Sequence, residues 1–460
     1  MSSQKLKSKI EYKKLIGRLI YEKKIEISTR RVKEKFETQL HKFEKIDANR
    51  YVVFAFAGME RITVADIRRH LGDECVMVFP ISDPEIVMTG QAGVGKILVA
   101  TTTKNFEALQ RVPSVQRVLI YLGCDATSGK IVNPKLSKQD MSNALSEFLS
   151  NLDSWNRARR KLRDCIREEE NDSKLSFRAS VIRDGPERHN MTSLEIERVI
   201  GDITLKKYST WYVNLKTYDV QILMLVYGSN FVIGMSLFDY SKDLGIGSRN
   251  WSFKASEGLT ACLKPSVSAT LVQFAIHNAP KENSVILDCM CGVAGIPIET
   301  SYSCEGNQHF FPLGGEIDIH KAIPQAIKNL ASYQSYILDH SSKRKKLIPD
   351  ICLWNVTKLP LRSCSVDIIV VDLPFGMRCG KTSQWRKLYP LAFQEMARVI
   401  RPRGRVVLMT TLRRILLSNI SKSKYWNIVN VRYVNMGGSL ATVLLADRTD
   451  VAYTHTRTST

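Results

Sequence analysis

No Cys-x-x-C pair occurs among the ten cysteines of this 460-residue chain, which are scattered from Cys75 to Cys379. That excludes a zinc ribbon and a disulfide framework, and it reads as reduced thiols inside a cell. No cluster suggests a metal site. An apolar run of ~18 residues is also missing, so neither a transmembrane helix nor a membrane partner is expected. The opening MSSQKLKSKIEYKK lacks the apolar core of a secretory signal, and its glutamate argues against a mitochondrial transit peptide. The expected location is the cytoplasm, with the nucleus also open. Acids are scarce: 45 Asp and Glu face 67 Lys and Arg, a net charge of +22. Such a balance points to a polyanionic partner, nucleic acid first and membrane surface second. No amphipathic helix with a clean apolar face beside a basic one supports the membrane. Charge alone leaves RNA and DNA open.

What is present is a folded chain, 44% apolar and long enough for two or three domains. Residues 1–49 lack proline and repeat apolar residues at helical spacing (Leu15, Leu19, Ile20) among lysines and glutamates. They read as a basic helical extension, either solvated or a nucleic-acid-binding arm. Residues 50–170 and 171–240 read as two α+β units. The first runs RYVVFAFAG (strand), ITVADIRRHLG (helix), KILVATT and VQRVLIYLG (strands), then a helix through SKQDMSNALSEFLSNLDSWNRARRKLRDCI. The second has LSFRASVIRDG, the helix TSLEIERVIGDITLKK, and two apolar runs flanking a hairpin turn at Gly228-Ser229-Asn230. GQAGVGKI at 90–97 imitates a phosphate-binding loop. However, Ile97 stands where Ser or Thr would hold magnesium, and a strand-like ILVATTT follows instead of a helix, so it reads as a glycine-rich hairpin.

Within 241–460 the pattern changes to strands alternating with helices: SVILDCMCG, HFFPLGGEIDI, PDICLWNV, VDIIVVDLPFG, GRVVLMTT, WNIVNVRYVNMG and ATVLLADR. The expected fold is a doubly wound, Rossmann-like α/β sheet binding its ligand beyond the carboxyl ends of the strands.

Four strand ends carry the chemistry. VILDCMCGVAG joins an acid, Asp288, to the glycines Gly292 and Gly295. A nucleoside cofactor needs that combination, since glycines admit its backbone neighbours and the acid fixes a polar group. Glu316 closes the next strand, where it can take ribose hydroxyls. Asn355 follows the third, within reach of an adenine amine. The fourth ends in Asp372-Leu373-Pro374-Phe375. A strand cap followed by a turn would explain these residues. So would a pocket for an exocyclic amine, with the Asp372 carboxylate and Pro374 carbonyl accepting its hydrogens and Phe375 stacking on the base. A dehydrogenase has no use for that last set.

With these residues in place the chain resembles the THUMP-domain RNA guanine-N2 methyltransferases over roughly 50–450. The most specific stretches are FRASVIRDGPERHNMTSLEIERVIG, WYVNLKTYDVQILMLVYGSNFVIGMSL, VILDCMCG, LPLRSCSVDIIVVDLPFGMRCG and WRKLYPLAFQEMARV. The resemblance implies a ferredoxin-like unit at 50–170, a tRNA-docking THUMP domain at 171–240, and a linker with an S-adenosylmethionine-dependent methyltransferase domain at 241–460. It implies N2-methylation of guanosine at position 6 or 7 of the tRNA acceptor stem, with a small zinc-binding activator subunit. Asp288, Gly292, Gly295, Glu316, Asn355 and Asp372 would meet the cofactor, and Asp372, Leu373, Pro374 and Phe375 would form the catalytic turn. The family loop runs Asp-Pro-Met-Cys-Gly-Thr-Gly-Ala, against DCMCGVAG here. Arg183, Arg188, Lys206, Lys207, Arg249 and Lys264, clustered in the family-like stretches, are the expected RNA contacts. A tRNA-binding protein without turnover and an RNA adenine-N6 methyltransferase are the alternative readings.

Overall fold

The computed structural model describes residues 31–81, 94–103, 106–125, 131, 133, 135–166, 174–184, 190–227, 230–236, 262–277, 283–303, 310–339, 347–375, 382–437 and 439–454. The glycines of GQAGVGKI before Val94 and the tip of the Gly228-Ser229 turn lie outside these residues. Residues 31–45 are helical, as the spacing predicts for the end of the extension.

The first half of the chain builds one eight-stranded sheet. Its strands are β1 (Asn49–Phe54), β2 (Cys75–Pro80), β3 (Lys96–Thr101), β4 (Arg117–Asp125), β5 (Ser176–Asp184), β6 (Tyr212–Val213), β7 (Val220–Tyr227) and β8 (Asn230–Ser236). The order is β2-β3-β1-β4-β8-β7-β5-β6. The two α+β units therefore share a sheet, joined where β4 runs antiparallel to β8 from Ile120↔Met235 to Asp125↔Phe231. β3 begins at Lys96, so a strand does follow the glycine-rich segment. The long helix expected after Ser137 is two helices, Lys138–Ser150 and Ser154–Ile166. Asn151 caps the first, and the Trp155 indole donates back to Leu149 O at 2.8 Å, folding the second helix away. The helix Ser193–Lys207 starts at a reciprocal cap between Thr192 and Glu195.

The second half builds a seven-stranded sheet from β9 (Ser284–Asp288), β10 (Phe310–Glu316), β11 (Asp350–Leu353), β12 (Val366–Asp372), β13 (Ile400–Thr410), β14 (Trp426–Asn435) and β15 (Leu440–Arg448). The order is β11-β10-β9-β12-β13-β15-β14. β9 to β13 are parallel, and β15 is antiparallel to both β13 and β14. Valines, isoleucines and leucines of the central strands are buried on both faces, which is why they read as unbroken apolar runs. The doubly wound fold is present.

The two sheets meet at a backbone seam. Asn435 N–H at the end of β14 donates to Ala57 O at 3.2 Å. Gly58, with φ +97°, lies so close that a Cβ there would stand 2.1 Å from Tyr433 O. Only glycine fits. The Glu60 carboxylate accepts from Gly58 N–H at 3.0 Å and Gly95 N–H at 2.7 Å, which fixes the loop that makes the contact. Phe56 and Met59 from this loop enter the same apolar cluster as Val370, Met409 and Val434 of the second sheet.

Candidate active site

The winding direction reverses between β9 and β12, and open α/β sheets bind ligands at the carboxyl ends beside such a reversal. The residues ending those two strands are Asp288 and Asp372.

Asp288 is buried, and its Oδ1 accepts the Met290 N–H at 3.1 Å. Burial, reinforced by the neighbouring charge of Glu316, pushes its pKa up to about 8 against the pull of that hydrogen bond. Glu316 binds the loop after β9 to the end of β10. Its Oε2 accepts from Gly292 N–H at 2.9 Å, and its Oε1 accepts from the N–H groups of Ile317 at 2.8 Å and Asp318 at 3.0 Å. A carboxylate has about four acceptor sites. One is left, on Oε2, rather than the two that a grip on both ribose hydroxyls would use.

Beside it, the Trp354 indole lies on Gly315 so closely that a Cβ there would fall 1.6 Å from the ring, and its Nε1 donates to Cys289 O at 3.2 Å. Cys289 and Cys291 are buried against this loop, as small packing groups. Two residues of the loop are left-handed, Gly292 at φ +54° and Ala294 at φ +70°, while Gly295 is the first residue of the following helix. Ser266 and Ser268, on the buried helix Pro265–Ile276, have hydroxyls without hydrogen-bond partners. Ser268 Oγ would stand 3.4 Å from a Cβ at Gly295. These orphaned buried donors, the open acceptor on Glu316 and Asp288 suit a polar ligand such as a nucleoside cofactor. Nothing in the sequence distinguished the two serines from ordinary helix residues.

Asn355 is exposed, and its Oδ1 accepts both the N–H (3.0 Å) and the hydroxyl (2.9 Å) of Thr357. The oxygen expected to meet an adenine amine is therefore occupied by a turn, and the structure does not group Asn355 with the other acceptors.

The turn after β12 is the most constrained part of the site. Leu373 is buried, and its N–H donates to Met409 O at 2.9 Å. The Tyr389 hydroxyl, from the helix Thr382–Val399, donates to Pro374 O at 2.8 Å and lies 2.9 Å from Thr410 Oγ1. Thr411 Oγ1 donates to Phe375 O at 2.9 Å. Phe375 is half-buried against the cluster that holds Phe56 and Met59. Asp372 Oδ1, by contrast, is buried with no hydrogen-bond partner. Burial, with the Asp288 charge adding, holds its pKa well above the carboxylate range. A strand cap would have paired this oxygen with a backbone N–H. An unpaired buried carboxylate beside a fixed carbonyl is an acceptor pair awaiting donors.

Of the expected RNA contacts, Lys206 and Lys207 are exposed in the last turn of Ser193–Lys207, with Lys207 Nζ donating to Ser150 O at 2.7 Å. Arg183 is half-buried in β5 and donates to Met191 O at 2.6 Å. Lys264 is exposed just before Pro265–Ile276. Arg188 and Arg249 lie outside the described residues. Among those residues, no cluster of three or more His, Cys, Asp or Glu side chains is placed to hold a metal.

The family model of the RMKL-like UPF0020 methyltransferase domain matches residues 256–442, the stretch that contains all of these strand ends. That segment is similar to a methyltransferase domain. Its sequence is 31% identical to tRNA (guanine(6)-N(2))-methyltransferase THUMP3 of Mus musculus over 70% of this chain and 60% of that one. It is 27% identical to U6 snRNA (guanine-N(2))-methyltransferase THUMPD2 of Bos taurus, over 54% of this chain and 44% of that one. The chain thus spans less than two thirds of either relative, and it resembles the THUMP-domain RNA guanine-N2 methyltransferases as its motifs predicted. The fold is shared with TrmN from Thermus thermophilus, at TM-score 0.58 and 18% identity over 87% of this chain and 99% of that one. The match covers most of the second sheet, and Asp288 and Asp372 stand at the carboxyl ends of its strands.

Proposed function

We propose that the protein methylates guanosine N2 in tRNA, using S-adenosylmethionine. The observation that carries this reading is the unpartnered, buried Asp372 Oδ1 at the reversal point of a methyltransferase sheet, beside a carbonyl already fixed by Tyr389. When bound, S-adenosylmethionine supplies an electrophilic methyl group on a sulfonium. Asp288, the Gly292 loop, Glu316 and the hydroxyls of Ser266 and Ser268 are the groups that would hold it.

The guanine amine is a poor nucleophile because its lone pair is delocalised into the ring. Asp372 accepts one amine hydrogen and Pro374 O the other, which favours a pyramidal nitrogen and aims its lone pair outward. Burial raises the Asp372 pKa, and the amine N–H bond and a cationic ligand beside it draw the group to its ionised form. The carboxylate then stabilises the positive charge that grows on nitrogen as the methyl arrives, on a turn already pinned. The free side of the Phe375 ring offers a stacking face for the base.

The name of the THUMP3 relative, the more similar of the two, supports tRNA as the substrate, and we place the target at position 6 or 7 of the acceptor stem. The exposed cations Lys206 and Lys207 would steer the 3′ end of the tRNA. A small zinc-binding activator would cover the outer strand β14, where Ile428 and Val429 are exposed. The expected site of action is the cytoplasm.

The test is to incubate the protein, with and without such an activator, with labelled S-adenosylmethionine and either total tRNA or U6 snRNA. Labelled N2-methylguanosine from tRNA is expected. N6-methyladenosine would overturn the chemistry, and N2-methylguanosine confined to U6 snRNA would overturn the substrate.

A further inference from the structure

We propose that Arg413 and Arg414 form a phosphate clamp beside the catalytic turn, gripping the RNA backbone next to the guanosine that enters it. This rests on the reading of the protein as an RNA methyltransferase. The two arginines open the helix Arg413–Lys422, which follows β13. Thr411, whose hydroxyl donates to Phe375 O at 2.9 Å, precedes Arg413 by two residues, a chain span of at most ~7 Å.

Helix stability does not account for the pair. The helix dipole favours acids, not cations, in a first turn. Here the first turn holds no acid, and Leu412 before it offers no side-chain cap. Both arginines are exposed, and neither has a hydrogen bond or an ion pair to another described residue. Arg413 is nevertheless held in place, with its guanidinium 4.6 Å from the centre of the Tyr433 ring. A stacked guanidinium keeps the N–H groups of its edge for a ligand, and a positioned side chain loses less entropy on meeting a phosphate.

The sheet register puts the pair at the catalytic end. Tyr433 stands opposite Thr442, and Thr442 opposite Thr410, so the residue that holds Arg413 is level with the hydroxyl beside Tyr389. Asp372, with its unpaired Oδ1, stands opposite Met409, one residue earlier in β13. The waiting acceptor and the two exposed cations therefore share one end of the sheet. A nucleotide whose base is bound at the turn carries its phosphates with it. Arginine meets phosphate through two parallel N–H bonds, and such contacts position a strand without reading its bases. The clamp sets where the nucleotide sits, and the turn selects what it is.

The test measures binding of a fluorescent tRNA transcript to the full chain across a KCl series, with thermal melts alongside. Arg413→Gln and Arg414→Gln should each make the slope of log affinity against log salt shallower by ~0.7–0.9, the contribution of one neutralised phosphate. Melting temperature and binding of labelled S-adenosylmethionine should hold. Arg414→Lys should keep the wild-type slope. Uncharged methylphosphonate links on both sides of the methylated guanosine should weaken binding to the wild-type chain but not to the double glutamine variant. An unchanged slope in the glutamine variants would overturn the clamp alone. So would an equal loss in Arg414→Lys, which would make the effect structural, or a loss indifferent to the methylphosphonate links, which would move the contact elsewhere on the RNA. Absence of RNA binding by the wild-type chain would overturn the functional reading and this proposal together.

Discussion

The hydroxyl of Tyr389 donates to the carbonyl of Pro374 across 2.8 Å. Because its hydrogen goes there, Tyr389 must accept from Thr410, whose Oγ1 is 2.9 Å away and itself accepts the Leu412 N–H at 3.1 Å. The chain of bonds runs one way, from backbone to catalytic carbonyl, and every buried member is satisfied. Its effect is to occupy one lone pair of Pro374 O and leave the other for the amine of the proposed reaction.

Tyr389→Phe removes that donor while keeping the ring packed. It leaves the Pro374 and Thr410 oxygens short of a partner, which costs about 1–3 kcal/mol. Single-turnover methylation should fall roughly tenfold or more, since each ~1.4 kcal/mol lost from the transition state is tenfold. Cofactor affinity should hold. A wild-type rate in a destabilised variant would reduce Tyr389 to a packing residue.

The pH dependence of stability follows from Asp288. Its folded pKa is about 8, raised by burial from an ordinary 3.8. Between those values the folded chain binds more protons than the unfolded one, so stability is complete below the ordinary pKa and is lost as pH rises through about 8. The slope approaches ~1.4 kcal/mol per pH unit. Asp288→Asn should flatten it in cofactor-free melts. Equal slopes in both proteins would show that Asp288 is not buried as a proton-binding group.

How much of this was readable in advance differs from residue to residue. The acid at the mouth of an apolar strand marked Asp372, because an unbroken apolar run followed by Asp-Leu-Pro-Phe is a local pattern. Tyr389 was invisible, since its role depends on how a helix docks on a strand end. The Gly58 joint was hidden for a stronger reason: its partner Tyr433 belongs to the other sheet. For Glu316 the strand end was legible, but the direction of its carboxylate was not. Three backbone N–H groups compete for it and win.

That competition makes a prediction. Glu316→Ala strands the N–H groups of Gly292, Ile317 and Asp318, so it should weaken S-adenosylmethionine binding by about 1.5–3 kcal/mol and also lower the stability of the cofactor-free protein. Denaturant melts and equilibrium binding check both. Weakened binding with intact stability would mean that the carboxylate serves the cofactor alone.

Ala294 offers a gain. A side chain at φ +70° costs about 1–2 kcal/mol, while glycine adds about 0.5–1 kcal/mol of backbone entropy to the unfolded chain. Ala294→Gly should therefore raise stability by about 0.5–1 kcal/mol in a denaturant titration. A destabilised variant would show that the methyl group packs well enough to outweigh its strain.

The central claim is that Asp372 holds the amine and is not a strand cap. Its most direct test is Asp372→Asn, measured by single-turnover methylation of tRNA alongside thermal melting above neutral pH. Burial raises the Asp372 pKa, so the ionised carboxylate weakens the folded state there, and an amide removes that charge. Stability should therefore hold or rise while the rate falls by roughly 10²–10³, the scale of one preorganised electrostatic contact. A lower melting temperature with an unchanged rate would contradict the account.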